Sequence, residues 1–186
     1  MCYLCDDSFD TPVITRRALL AVGASAAALG LAPSALANEA RTLDLYHTHT
    51  RERLSVTYAE NGRPIPDALE EISRFLADFR TGDVHPIDPR LLDALHRLRL
   101  RAGGKGVFEI ISAYRSPKTN EMLRSTGGGG VAKRSLHMEG KAIDVRLRGV
   151  RTARLRAEAL ALGAGGVGYY PESDFVHVDT GRLRQW

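Results

Sequence analysis

Two short apolar segments of this 186-residue chain each carry a titratable residue at their centre, and that placement restricts the folds open to it. In "AIDV" the residue is Asp144, and in "FVHVD" it is His177. Both segments read as strands from their β-branched and aromatic content. A carboxylate or imidazole inside an apolar strand is costly unless another polar group pairs with it, so the fold must supply partners for both. Upstream, "SLHMEGKAIDV" places His137 seven residues before Asp144, too far for one helical turn. That spacing fits a turn, bent at Gly140, that leads into the strand. A catalytic zinc site takes three protein ligands from His, Asp, Glu or Cys and keeps a fourth position open. The segment therefore raises the question of whether His137 and Asp144 share a metal with a third residue.

The length suits one domain with a proper core, and an apolar fraction of 44% with 26% charged residues excludes wholesale disorder. The first residues stand apart. Arg16 and Arg17 precede an apolar run from Ala18 to Leu31, and "SALA" supplies Ala35 and Ala37 of an A-x-A cleavage site. Residues 1–37 read as an export signal, followed by one domain over 38–186. The run is rich in Ala and Gly and falls short of the roughly 20 strongly apolar residues of a membrane helix. Thr-Arg-Arg-x-Leu-Leu resembles the twin-arginine signal, which points to export in the folded state and to a periplasmic mature protein. Cys2 and Cys5 leave with the signal, so neither a disulfide framework nor a cysteine metal site is expected. The net charge of +4 suits an anionic partner such as a cell wall without specifying one. No nucleic-acid module is visible, and a monomer is expected.

Along the domain, "TLDLYHTHTRERLSVTYAENGRP" reads as a hairpin of two strands around "HTRE". "PIPDALEEISRFLADFRTG" puts Leu69, Ile72, Leu76 and Phe79 at helical spacing, with Gly82 beyond the end. A second helix opens with Asp88 as N-cap and Pro89 at the first position and stops at Gly103. "GVFEIISAYRS" is a strand entering a loop, and Ser116 caps a short helix whose first turn holds Pro117. Gly127 to Gly130 read as a mobile loop. "GKAIDVRL" is a strand, "VRTARLRAEALALGAGG" a helix stopped by glycine, and "GVGYYPESDFVHVDT" a terminal hairpin. Helices and strands out of strict alternation predict an α+β fold.

The pattern Ser-x-His-x-x-Gly-x-Ala-x-Asp, met by Ser135, His137, Gly140, Ala142 and Asp144, resembles the signature of zinc peptidases that cut D-amino-acid peptides of bacterial cell walls. That family comprises D,D-carboxypeptidases, D-alanyl-D-alanine dipeptidases and murein endopeptidases, on a fold shared with the hedgehog signalling domain. "SAYRS" and "GVGYYPESDFVHVDTGRLRQW" are most similar to its YcbK-like, murein endopeptidase K branch, and the likeness runs from about "LDLYHTHT" to Trp186. The resemblance implies a small antiparallel sheet carrying one Zn2+, ligated by His137, Asp144 and His177. It implies a substrate-binding role for Arg115, a supporting hydrogen bond from Ser135, and peptidoglycan peptides as substrate. Relatives with Glu-x-x-His place the general base where Asp174 stands here; Asp179 competes, as base or as partner of a ligand histidine, and Asp174 is preferred because a base must reach the water. Carboxypeptidase or dipeptidase activity is the alternative within the family, and a non-catalytic wall-binding module the alternative outside it. His47 and His49 read as an exposed hairpin, and His85 and His96 as solvent-facing. Tyr169, Tyr170 and Trp186 read as core or groove-wall aromatics.

Overall fold

The computed structural model describes residues 40–126 and 131–186. The expected export signal over residues 1–37 and the tetraglycine lie outside the described residues. In chain order the elements are β1 (Arg41–His47), β2 (Arg53–Glu60), β3 (Arg63–Pro64), α1 (Pro66–Phe75), α2 (Pro89–Arg101), β4 (Phe108–Ser112), α3 (Pro117–Thr126), a 3-10 turn (Leu136–Glu139), β5 (Ala142–Leu147), α4 (Thr152–Leu162), β6 (Gly166–Tyr170), β7 (Phe175–Asp179) and β8 (Arg184–Gln185). The result is a mixed α+β arrangement. All eight strands join one sheet in the order β3-β2-β1-β4-β5-β7-β6-β8. The sheet is larger than expected and not purely antiparallel, because β1 runs parallel to β4 and β8 parallel to β6.

Alternation along the strands decides the two faces. Leu43, Leu45, Phe108, Ile110, Ile143, Val145, Val176 and Val178 share one parity and are buried in a single core with Ile72, Leu91, Leu92, Leu95, Leu98 and Leu155 from α1, α2 and α4. Each such side chain, moved out of water, contributes about 1.5–3 kcal/mol before conformational entropy is set against it. The other parity carries Asp144, His177 and Asp179, so the helices stabilise one face and leave the opposite one for chemistry.

The second helix matches its reading: the Asp88 carboxylate accepts from the Arg90 backbone N–H and Pro89 opens the first turn. Helix α1 is shorter than its apolar spacing suggests and ends at Phe75. The reason lies at Asp78. Its buried carboxylate accepts from the backbone N–H groups of Arg80 and Ser116, an alternative to helical bonding that turns the chain away before Leu76 and Phe79 complete another turn. Three histidines also sit elsewhere than expected. His47 is buried, His85 is half-buried and stacked on Tyr114, and His96 is half-buried with Nδ1 3.4 Å from the Thr42 carbonyl. Among the described residues no helix is long and apolar enough to cross a membrane.

Candidate metal centre

Register builds the site. Asp144 of β5 lies directly opposite His177 of β7. On the flanks Ser112 of β4 opposes Asp144, and Gly168 of β6 opposes His177. These four positions form one row across the sheet. Ser112 joins it through an irregularity between Ile110 and Ser112, since regular pairing would have set Ile111 against Asp144.

His137 arrives from outside the sheet on the 3-10 turn. Ser135 caps that turn, its Oγ accepting from the His137 backbone N–H at 3.4 Å. Gly140 ends it in the left-handed region at φ 63°, and a Cβ there would stand 2.1 Å from the Pro86 carbonyl oxygen. No other residue fits that position without moving the loop beneath. Ser135 thus shapes the turn that bears a donor and also lines the cleft.

Donor atoms of His137, Asp144 and His177 lie within 4.8 Å of one another, the group that could hold a metal ion among the described residues. His137 Nε2 is 3.2 Å from His177 Nδ1 and 3.3 Å from Asp144 Oδ1, and His177 Nδ1 is 2.8 Å from Asp144 Oδ1. The far ring atoms are already committed. His137 Nδ1–H donates to the Ala113 carbonyl at 2.7 Å, and His177 Nε2–H donates to Asp179 Oδ2 at 3.0 Å. In the neutral tautomers those bonds select, two nitrogen lone pairs and a carboxylate oxygen converge in a buried space. A cation relieves that arrangement, and N,N,O is a donor set that zinc accepts. The electrostatics differ between the three groups: burial disfavours charge on His177, but its bonds to Asp144 and Asp179 outweigh this and raise its pKa. Burial opposes charge on Asp144, but the two imidazoles outweigh it and hold the carboxyl well below the usual carboxylate range. Burial pushes His137 down.

Arg115 ties the group to the loop after β4. Its Nε donates to Ser112 Oγ at 2.8 Å, a terminal amino group donates to Asp144 Oδ2, and its backbone N–H holds the His137 carbonyl at 3.2 Å. The remaining guanidinium donors are free to face the cleft that Arg115 lines. Asp179 is fully buried and accepts from His177, from the backbone of Gly166 and Gly181, and from Arg184; burial opposes its charge, but the bonds from His177, Gly166 and Gly181 outweigh this and keep it below the ordinary carboxylate range. It orients His177.

Asp174 is the sequence-level site residue that the structure does not bring to the others. It occupies the β6–β7 turn at φ 52°, and its carboxylate accepts from Thr152 Oγ1 at 2.9 Å and from Arg146 at 3.4 Å. It lines a separate cleft of about 700 Å³ with Glu109, Arg148 and Arg151. The His-Asp-His group opens into a different cleft of about 400 Å³, whose wall includes Tyr170, Phe175, Arg184 and Trp186. Reasoning from sequence missed Arg184 and left Trp186 undecided. The alternation in "GRLRQW" was the available signal, for β8 sends Arg184 to Asp179 and puts the Trp186 ring 5.2 Å from that of His177.

Residues 35–186 match the family model described as peptidoglycan L,D-endopeptidase MepK. The peptidoglycan L,D-endopeptidase MepK of Escherichia coli K12 is 39% identical over 185 residues, which cover 97% of this chain and all of the relative. The probable peptidoglycan L,D-endopeptidase MepK of Haemophilus influenzae is 36% identical over 177 residues, 92% of this chain and 95% of the relative. Coming on top of a convergent His-Asp-His group, these matches mean that the chain belongs to the MepK family of peptidoglycan endopeptidases and is an enzyme, a hydrolase.

Proposed function

We propose that this chain is an exported zinc metallopeptidase, built on the fold shared with the hedgehog domain, that hydrolyses L,D peptide cross-links of bacterial peptidoglycan. The convergence of His137 Nε2, Asp144 Oδ1 and His177 Nδ1 beside an open cleft carries the reading, together with the printed activity of the relatives. When bound, zinc supplies a Lewis acid and a water acidic enough to attack an amide at neutral pH. His137 and His177 present their lone pairs because Ala113 and Asp179 hold the opposite ring protons. Arg115 steadies Asp144 and aims its free donors at the substrate carbonyl oxygen, where negative charge develops. Tyr170, Phe175 and Trp186 wall the cleft and exclude water from the reacting amide. Asp179 is assigned to orienting His177 and Asp174 to the neighbouring cleft, so neither serves as a free base.

The test is release of soluble peptides from purified wall by the purified mature protein. Chelation should abolish release and zinc should restore it. Release that a chelator leaves untouched sinks the zinc reading, and no release at all from zinc-replete protein favours a wall-binding module. Export through the twin-arginine route is part of the same proposal and rests on Arg16 and Arg17. Changing both to lysine should retain the protein in the cytoplasmic fraction, and normal export of that variant would exclude the route.

A further inference from the structure

The cleft beside the His-Asp-His group holds three arginines, and two of them are ion-paired. Arg115 is paired with Asp144 and Arg184 with the buried Asp179. Arg134 lines the same cleft, is exposed, and has no ion-pair partner among the described residues. The carboxylate lining this cleft is that of Asp144, already shared with Arg115 and both histidines. Arg134 is therefore an uncompensated positive charge at the mouth of the site, next in sequence to the Ser135 cap of the turn that carries His137. Such a charge raises the local concentration of anions, and a planar guanidinium is matched to a carboxylate.

The chemistry of the scissile bond says where an anion would stand. In an amide whose nitrogen sits on a D-amino-acid α-carbon, that same carbon carries the residue's own carboxyl group, two bonds from the nitrogen. Where that residue ends its peptide, the carboxyl is either free and negative or amidated and neutral. We propose that Arg134 is a specificity residue that binds this free carboxylate, so that the preferred substrate is a cross-linked peptide bearing the acid, with its amidated counterpart discriminated against. The inference rests on the peptidase reading above and names the substrate class within it.

Two synthetic cross-linked peptides, identical except for a free carboxyl or a primary amide beside the scissile nitrogen, test it. The wild-type protein should prefer the acid by about 10-fold in kcat/KM, mainly through KM, the scale of one partly exposed charge-assisted pair. Arg134→Ala should bring the ratio of the two substrates close to one, and Arg134→Lys should retain part of it. Calorimetric binding of the cleaved amine fragment, as acid and as amide, gives a readout independent of turnover and should show the same ratio and the same loss. A wild-type ratio near one, or a ratio that survives in Arg134→Ala, overturns the assignment while leaving the peptidase reading in place. If the wild type cleaves neither peptide yet binds the acid fragment through Arg134, the carboxylate site stands and the peptidase reading falls.

Discussion

Two pairs of histidines in this protein both bring their rings close together, and they behave differently. His137 and His177, 40 residues apart, bring their rings to 5.0 Å with Asp144 between them. His47 and His49 share one hairpin and lie 5.9 Å apart, but the ring between them is apolar: His49 stacks on Phe79 at 3.9 Å and His47 meets Phe75 and Phe79 edge-on. The Nδ1 of His47 accepts from the backbone N–H groups of His49 and Thr50, so its lone pair is used to close a turn. Ring proximity does not make a metal site. A carboxylate between the rings, with outer bonds that leave lone pairs facing inward, distinguishes the first pair.

The comparison breaks most visibly at Asp144. Asp144→Asn should lower zinc content from about one per chain to near zero and cut hydrolysis of cross-linked wall peptides by about 1000-fold or more, whereas His49→Ala should leave both intact. Metal analysis on the two purified variants decides it, and equal zinc in both would erase the distinction. Next in size is Arg115→Ala, with a loss in kcat of about 100-fold, the scale of one oxyanion donor. Because Arg115 donates to Asp144 Oδ2, zinc should also exchange faster in that variant, which competition with a chromogenic chelator would reveal.

Asp179→Asn should keep the fold and weaken zinc affinity about 10–100-fold, because the Asn amide holds the His177 ring less firmly. On the other side of the comparison, His47→Ala should cost about 2 kcal/mol of stability through lost packing and two orphaned backbone donors, with zinc content unchanged. Burial, aided by His49, lowers the His47 pKa, so the unfolded chain takes up a proton near pH 6.5 before the folded one does. This contribution to stability is present above about pH 6.5 and declines as pH falls from there toward the folded value. Denaturant titrations at pH 7.5 and pH 5.5 should show a smaller fall for His47→Ala than for the wild type. The smallest effect belongs to Asp174→Asn. Asn accepts the left-handed backbone there, so stability should change by less than about 0.5 kcal/mol and activity little. A dead but zinc-replete Asp174→Asn would restore it as the base.

The strands around Asp144 and His177, the Asp88 cap and the terminal hairpin were all legible, because each is a local matter of alternation, capping and turn chemistry. Asp78 was not. Nothing near it in sequence announces that Ser116, 38 residues on, will lend its backbone N–H to that carboxylate, and the truncation of α1 follows from this contact. The position of Asp174 was hidden for the same reason. Its spacing to His177 matched a pattern, but Thr152 and Arg146 hold its carboxylate in another cleft.

By itself the sequence determined that Asp144 and His177 would need polar partners, since a titratable group in an apolar strand carries a desolvation cost wherever that strand lies. It determined the turn at Gly140 as well, because "HMEG" ends a short helical turn where only glycine is comfortable. Tertiary structure alone decided which partners those residues received. Strand register set Asp144 opposite His177, the irregularity in β4 brought Ser112 and hence Arg115 to its outer oxygen, and the parallel edge strand β8 delivered Arg184 and Trp186. Register depends on how whole strands bury one face against the helices, and a shift of one residue would send every side chain in the row to the opposite side of the sheet.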